Sequence, residues 1–173
     1  CDTAYAFKGN NPLSIQHILD EVAQYNAQYV CVTGGEPMAQ SNCLKLLDSL
    51  IDCGYNVSME TSGSIDITPV NSKVSIVMDI KTPSSNESKH NKYDNIAKLK
   101  AKDQLKFVIG SKEDFDWSVD IVNQYSTKAG VLFSPVFDAV TPTQLADWIL
   151  DKQLNVRMQM QMHKLLWGDE PGR

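Results

Sequence analysis

The chain has 173 residues, of which 42% are hydrophobic, and its formal net charge is −5. This length and balance predict one globular domain with its own core and leave too few residues for two domains of ordinary size. An acidic chain without a basic patch is expected to bind neither nucleic acid nor an anionic membrane directly, and no apolar run is long enough to span a membrane.

Apolar spacing predicts helices that alternate with strands along the chain. Ser14 and Ser41 are placed to cap the first two helices, and Gly54 is predicted to end the second. A third helix is predicted from Lys112, and a fourth from Thr141, where Thr-Pro-Thr-Gln resembles a capping box with proline at the first helical position. The predicted strands, in chain order, are 29–33 (a buried strand), 55–60, 74–80, 105–109, 131–133 and 156–162.

This alternation favours a parallel sheet with right-handed crossovers. Six strands in this length fit the α/β class as a partial or small (β/α)6 barrel, mostly parallel with helices outside, and they also fit an open doubly wound sheet. No linker or repeat divides the chain, so residues 1–173 are predicted to form a single domain. The polar segment 84–93 has no pattern and is predicted to be a mobile loop, either a lid or disordered.

The four cysteines are Cys1, Cys31, Cys43 and Cys53. None of them forms a C-x-x-C pair, and a chain without secretory features favours thiols over disulfides, so a cytoplasmic location is expected. Cys31 lies inside a predicted strand, and Cys43 and Cys53 flank a predicted helix. All three are therefore predicted to be small buried side chains. Cys1 differs because it lies in a polar start without periodic pattern.

The most informative segment is Thr33-Gly34-Gly35-Glu36-Pro37, which ends the first predicted strand. Glycines expose bare backbone N–H and C=O groups at the carboxyl end of a strand, where parallel β/α folds bind their ligands. Glu36 adds a carboxylate, and Pro37 stops the strand. The combination suits a ligand that carries both an ammonium and a carboxylate, such as an amino acid head group. A solvated loop acid is the alternative for Glu36.

The other predicted strands also end in short polar segments, and together these form a ligand-sized ring if they share one edge of the sheet. Glu60 and Thr61 either contact a ligand or only close a strand. Asp79 and Lys81 share a strand face and form either a plain ion pair or a ligand contact. His163 is expected to be a structural histidine, and no residue is assigned as a catalytic acid or base.

Two further features near the C-terminus have structural interpretations. Met158, Met160 and Met162 alternate with polar residues and are predicted to pack on one face of the last strand. Trp167 is predicted to anchor the tail by burial.

Three segments together resemble a known family. They are Cys1-Asp2-Thr3 followed by the aromatic Tyr5, the Gly-Gly-Glu-Pro tip, and the closing run His163-Lys164-Leu165-Leu166-Trp167-Gly168-Asp169-Glu170-Pro171-Gly172-Arg173. The chain resembles the radical S-adenosylmethionine superfamily from its first residue to its last. Within that superfamily it resembles the 7-carboxy-7-deazaguanine synthase family of queuosine biosynthesis.

The resemblance implies a lyase that converts 6-carboxy-5,6,7,8-tetrahydropterin to 7-carboxy-7-deazaguanine and ammonia by a 5′-deoxyadenosyl-radical mechanism. It implies a [4Fe–4S] cluster, S-adenosylmethionine and Mg²⁺ as cofactors. The implied partners are the small pterin substrate, an electron donor such as flavodoxin or ferredoxin, and a second copy of the chain in a homodimer.

The resemblance also assigns roles to individual residues. Cys1 matches a cluster cysteine, and Thr3 matches the Mg²⁺ ligand, since a hydroxyl oxygen suits a hard cation. Thr33 and Pro171 match substrate contacts. The predicted S-adenosylmethionine contacts are Gly35, Glu36, Thr82, Pro83, Ser84, Ser134, Pro135, Val136 and Phe137.

One departure from the family concerns the cluster. The family holds it with three thiolates from one loop, whereas this sequence offers only Cys1 there. The chain is therefore expected to lack the first strand and the start of the cluster loop, and the polypeptide of 173 residues is expected to be inactive.

Three alternative functions remain. The first is an activase of the same superfamily that installs a glycyl radical on a partner protein. The second is a phosphate-binding β/α barrel without redox chemistry, in which basic residues should crowd the glycine tip that here carries Glu36. The third is a non-catalytic module that binds a nucleoside or a partner.

Overall fold

Six parallel strands form one sheet in the computed structural model, which describes residues 12–168 and residue 170. The strands are β1 (Tyr29–Val32), β2 (Asn56–Thr61), β3 (Ser75–Ile80), β4 (Gln104–Ile109), β5 (Gly130–Pro135) and β6 (Arg157–Met158). The helices are α1 (Ile15–Ala23), α2 (Cys43–Asp52), α3 (Lys112–Gln124), α4 (Pro142–Asp151) and α5 (Met162–Trp167). None of these helices combines the length and the apolarity that a membrane crossing requires.

The strand order distinguishes the two predicted architectures. A doubly wound sheet reverses its order at a switch point, whereas here each strand pairs in parallel with the next strand in sequence. With crossovers of one hand, this order places the helices on one side of the sheet, as in a β/α barrel. The α/β prediction of a partial (β/α)6 sheet is confirmed, and the doubly wound alternative is wrong.

The apolar core lies between the sheet and the helices. Alternate residues of β3 and β4 are buried, and the register sets Met78 beside Leu105. The ring of Phe133 meets Phe107 and Phe115 edge to face, with ring centroids 5.6 and 5.7 Å away. This geometry is a favoured one for aromatic pairs, and it joins β4 and β5 to α3.

The positions that alternate with this core form a polar, less buried face of the sheet. Glu60 is exposed on β2, while Asp79 on β3 and Lys106 on β4 are half-buried. The register sets Asp79 directly beside Lys106. Charged side chains of both signs therefore line the face of the sheet that does not carry the apolar core.

Most helix boundaries follow the predicted capping residues. Ser14 caps α1 with its hydroxyl, and Thr141 caps α4 within the predicted capping box. Gly54, with φ of +89°, follows the end of α2 as predicted. The prediction for Ser41 is wrong, because the turn after Pro37 shifts the helix start and leaves Asn42 at the N-cap without a side-chain bond.

Two strand predictions are wrong, and so is the burial prediction for Trp167. β1 lies at an edge of the described sheet, with Tyr29 75% exposed, so it is not a buried strand. The alternating run from residue 156 yields only two strand residues, and Met162 begins α5 and is exposed. Trp167 is 48% exposed, because α5 presents several large apolar side chains to solvent instead of packing them into the core.

The three cysteines in the described range differ in exposure. Cys43 is 5% exposed at the start of α2, whereas Cys31 and Cys53 are exposed. The prediction of burial is confirmed for Cys43 and wrong for the other two, since Cys31 lies on an edge strand and Cys53 follows a helix end. Burial, with the negative charge of Glu36 as a smaller cause, raises the pKa of the Cys43 thiol.

We expect iodoacetamide to label Cys31 and Cys53 at least about tenfold faster than Cys43 in the folded chain. The thiolate is the reactive form, and both burial and a raised pKa keep Cys43 protonated at neutral pH. Mass spectrometry of peptides after timed pulses measures the rates, and the urea-unfolded chain is the control in which the three rates should converge. Equal rates in the folded chain would contradict the placement of Cys43.

Candidate active site

The carboxyl ends of the strands lie along one edge of the sheet, because all six strands are parallel. The predicted ligand contacts at 33–36 and 82–84 follow β1 and β3 at this edge, and those at 134–137 begin in the last two residues of β5. The structure therefore brings together the tips that the sequence predicted to share a rim. The predicted contacts Cys1, Thr3 and Pro171 lie outside the described residues.

Glu36 joins the tips of β1 and β2. Its carboxylate accepts hydrogen bonds from the Thr61 hydroxyl, at 2.8 Å to Oε1 and 2.9 Å to Oε2, and from the Met38 N–H at 3.0 Å. The N–H and hydroxyl of Ser62 donate to Oε2 at 2.8 and 2.5 Å. Because four donors already occupy both oxygens, this geometry favours a role in holding the tip over direct binding of an ammonium.

Asp114 joins the tips of β3 and β4. This fully buried residue accepts hydrogen bonds from the N–H of Ser84 at 3.0 Å and from the N–H of Gly110 at 3.0 Å. The Ser84 hydroxyl also donates to it. The Val136 N–H in turn donates to the Ile109 carbonyl at 2.9 Å, so contacts continue from the β4 tip to the β5 tip.

The segment 84–93 is tied to β3 rather than being unstructured. The side-chain amide of Asn91 donates to the Lys81 carbonyl at 2.8 Å and accepts the Lys81 N–H at 3.0 Å. One side chain thus satisfies both backbone groups of Lys81, as a neighbouring strand would. With 3₁₀ turns at Pro83–Ser85 and Ser88–His90, the disordered alternative is wrong, and the lid alternative stays a prediction.

Asp79 and Lys81 form an ion pair, with 2.9 Å between Oδ2 and Nζ. The predicted pairing is therefore confirmed. The other oxygen of Asp79, Oδ1, is buried and has no hydrogen-bond partner among the described residues. An unpaired buried acceptor costs about 1–3 kcal/mol, so a donor from a ligand or a water would stabilise this site.

A cavity of about 290 Å³ adjoins the tip of β5, between the start of α4 and α5. Pro135, Val136 and Phe137 line it together with Met160, and the Lys164 ammonium lies 5.6 Å from the Phe137 ring centroid. Three of the four predicted contacts at this tip therefore face one small, mostly apolar space. A cavity of about 660 Å³ at the amino ends of β5 and β6 contains none of the predicted residues.

Within residues 12–168 and 170, no group of three or more histidine, cysteine, aspartate or glutamate side chains is arranged to hold a metal ion. The residues predicted to hold the cluster and Mg²⁺ are Cys1 and Thr3, which lie before this range. Their ligand roles stay predictions.

No family model matches the chain. A 7-carboxy-7-deazaguanine synthase of Thermoplasma acidophilum is 36% identical over 174 residues, which cover 99% of this chain and 83% of that protein. The chain belongs to the 7-carboxy-7-deazaguanine synthase family. A further member, from Chlorobaculum tepidum, is 35% identical over 175 residues, which cover 98% of this chain and 80% of that protein. The family resemblance predicted from the sequence is thus confirmed.

Solved structures agree with this family in fold. QueE from Escherichia coli matches with a TM-score of 0.69 and 21% identity. The match covers 86% of this chain and 64% of the QueE chain. Streptococcus suis SuiB bound to S-adenosylmethionine matches with a TM-score of 0.59 and 14% identity, over 90% of this chain and 43% of SuiB. At these identities the matches show the fold alone.

The predicted contacts of this family member are of two kinds. Thr33, Gly35 and Ser84 are exposed at the edge of the sheet, whereas Thr82 and Ser134 are only 3% and 2% exposed. The Thr82 hydroxyl donates to the Val108 carbonyl at 3.2 Å. The buried Thr82 side chain therefore already has a partner within the protein, and its contact with a ligand stays a prediction.

The sequence interpretation missed the side chains that hold the tips in place. Ser62 and Asp114 were not singled out, nor was Asn95, a fully buried amide that donates to the carbonyls of Gly63 at 2.9 Å and Ile65 at 2.8 Å. The only sequence signal was a polar residue near a predicted strand end, and ordinary surface loops have such residues too. Only the fold reveals which of these residues bridge two loops.

Proposed function

We propose that this chain converts 6-carboxy-5,6,7,8-tetrahydropterin to 7-carboxy-7-deazaguanine and ammonia by radical chemistry, as the names of its relatives and the sequence resemblance suggest. The observation that most supports this is the glycine tip after β1. Thr33 and Gly35 are exposed there, and Gly34 has φ of +148° with no atom within 4 Å of the position that a Cβ would occupy. Backbone donors and acceptors at this tip are therefore accessible to a ligand.

The residues at this edge fit S-adenosylmethionine. Bare backbone after β1 suits its amino and carboxylate groups, and the apolar cavity beside Pro135 and Phe137 suits a nucleoside base. When bound, S-adenosylmethionine supplies the 5′-deoxyadenosyl radical. The proposed contacts are Gly35, the segments 82–84 and 134–137, and Glu36, whose carboxylate orders the tip.

The remaining assignments rest on the sequence resemblance. Thr33 and Pro171 are proposed to contact the substrate, Thr3 to bind Mg²⁺, and Cys1 to bind the [4Fe–4S] cluster. We also propose one domain over residues 1–173, a flavodoxin-like or ferredoxin-like electron donor, a homodimer and a cytoplasmic location. The Asp79–Lys81 pair lies on the polar sheet face, where its unpaired oxygen can accept a hydrogen bond from substrate or cofactor.

The decisive experiment is turnover by the product of the complete gene, purified and reconstituted without oxygen. With S-adenosylmethionine, a reductant and the carboxypterin, we expect equal amounts of 7-carboxy-7-deazaguanine and ammonia and no requirement for a second protein. Liquid chromatography with mass spectrometry measures the product. Cys1→Ala is the control, and it should abolish both the iron–sulfur absorbance and the product.

Two outcomes would overturn the proposal. An iron-free, colourless wild-type protein would remove the radical mechanism. A protein that carries the cluster, leaves the carboxypterin unchanged and forms a glycyl radical on a partner would be an activase.

A further inference from the structure

We infer that Asp114 is a positioning residue, which fixes the segment 82–84 in the conformation that binds S-adenosylmethionine. The inference rests on the proposed function for the identity of the ligand. The positioning itself rests on the hydrogen bonds that join Asp114 to Ser84 and Gly110.

The carboxylate of Asp114 serves neighbouring loops rather than its own helix. Asp114 is the third residue of α3, and the helix start is already capped by the Ser111 hydroxyl, which accepts the Asp114 N–H at 3.1 Å. Both Asp114 carboxylate oxygens accept donors from outside the helix, namely Ser84 and Gly110. A residue needed only to start α3 would not require these bonds.

Asp114 is also held without a positive partner. It is 0% exposed, and none of the ion pairs formed by the described residues includes it. A buried carboxylate is costly unless hydrogen bonds satisfy it. The burial of Asp114 therefore depends on its three donors. If the segment 82–84 moved away from α3, this carboxylate would lose two of its three donors.

The fit around Asp114 is close. Gly110 lies so near that a Cβ there would be 2.9 Å from the Ser84 hydroxyl oxygen and 3.2 Å from Asp114 Oδ2. On its other side the segment is fixed by the Thr82 hydroxyl on the Val108 carbonyl and by the Ser85 hydroxyl on the Thr82 carbonyl at 2.6 Å. Of these hydrogen bonds, those to Asp114 are the ones that connect the exposed residue Ser84 to α3.

The test compares Asp114→Asn with Asp116→Asn in the reconstituted protein. Asparagine keeps the size of aspartate but turns one acceptor into a donor, which then faces N–H or O–H groups. Asp116 lies two residues further along α3, is exposed and pairs with Lys112, so its variant is a matched control. We expect Asp114→Asn to raise KM for S-adenosylmethionine about tenfold, equivalent to about 1.4 kcal/mol, with kcat within about twofold.

A second measurement does not depend on turnover. Hydrogen exchange of the Ser84 and Gly110 amides should quicken about tenfold in Asp114→Asn and stay unchanged in Asp116→Asn. If the wild-type protein does not act on the carboxypterin, the proposed function fails. The exchange measurement still decides whether Asp114 holds the segment 82–84.

The outcomes separate positioning from general support of the fold. Faster exchange together with a raised KM supports the inference. Unchanged exchange at Ser84 overturns it, and so does faster exchange with an unchanged KM. Should Asp114→Asn not fold, Gly110→Ala replaces it, because its methyl group crowds the Ser84 hydroxyl while every donor and acceptor remains; the same two changes are then expected.

Discussion

Replacing Glu36 by alanine should lower the free energy of unfolding by about 2–4 kcal/mol and reduce kcat/KM about 100-fold. The substitution leaves the Thr61 and Ser62 hydroxyls and the N–H groups of Ser62 and Met38 without their acceptor. Thr61 is buried, so water compensates for its lost bond only in part. Loss of these hydrogen bonds also frees the glycine tip that we propose to contact S-adenosylmethionine.

Urea unfolding and steady-state kinetics measure the two effects of Glu36→Ala. Glu21→Ala is the control, because Glu21 is exposed on α1 and its substitution should change stability by less than about 0.5 kcal/mol. The pair of measurements also separates two roles. If Glu36 bound the ammonium directly and held nothing else, Glu36→Ala would match the control in stability and differ only in KM.

Local patterns predicted the strands within one or two residues where burial alternates. β3 and β4 are examples, since every second side chain enters the core between sheet and helices. The choice between a barrel-like and a doubly wound sheet was not available from such patterns, because both use the same strands and differ only in their order. The strand predicted from Val156 was too long for a related reason. Alternation over a few residues does not show where pairing with the neighbouring strand ends.

The side chains that hold the strand tips in place could not be predicted from local sequence patterns. Glu36 bonds a residue 26 positions away, Asp114 one 30 positions away, and Asn95 one 32 positions away. Within its own window each of these is an ordinary polar residue of a turn or a helix start. The glycine tip was predictable because its own sequence carries the signal, whereas its supports become visible only when the fold brings distant loops together.

Gly63→Ala is expected to cost about 2–5 kcal/mol of stability through two separate effects. Gly63 has φ of +70°, where an L side chain costs about 1–2 kcal/mol. A Cβ would also lie 2.6 Å from Sδ and 2.7 Å from Cγ of Met78, which is fully buried, and overpacking of this kind costs about 1–3 kcal/mol. Gly63 cannot shift away easily, because its N–H donates to Thr61 and its carbonyl accepts from Asn95.

Gly54→Ala isolates the backbone effect. Gly54 has φ of +89° but no atom within 4 Å of a Cβ, so its substitution should cost about 1–2 kcal/mol. Met78→Ala isolates the contact, since in that background Gly63→Ala should cost no more than Gly54→Ala does. Urea unfolding of the four variants measures this coupling. A cost for Gly63→Ala that is the same with and without the Met78 side chain would show that the clash is absent and that backbone strain alone fixes glycine at this tip.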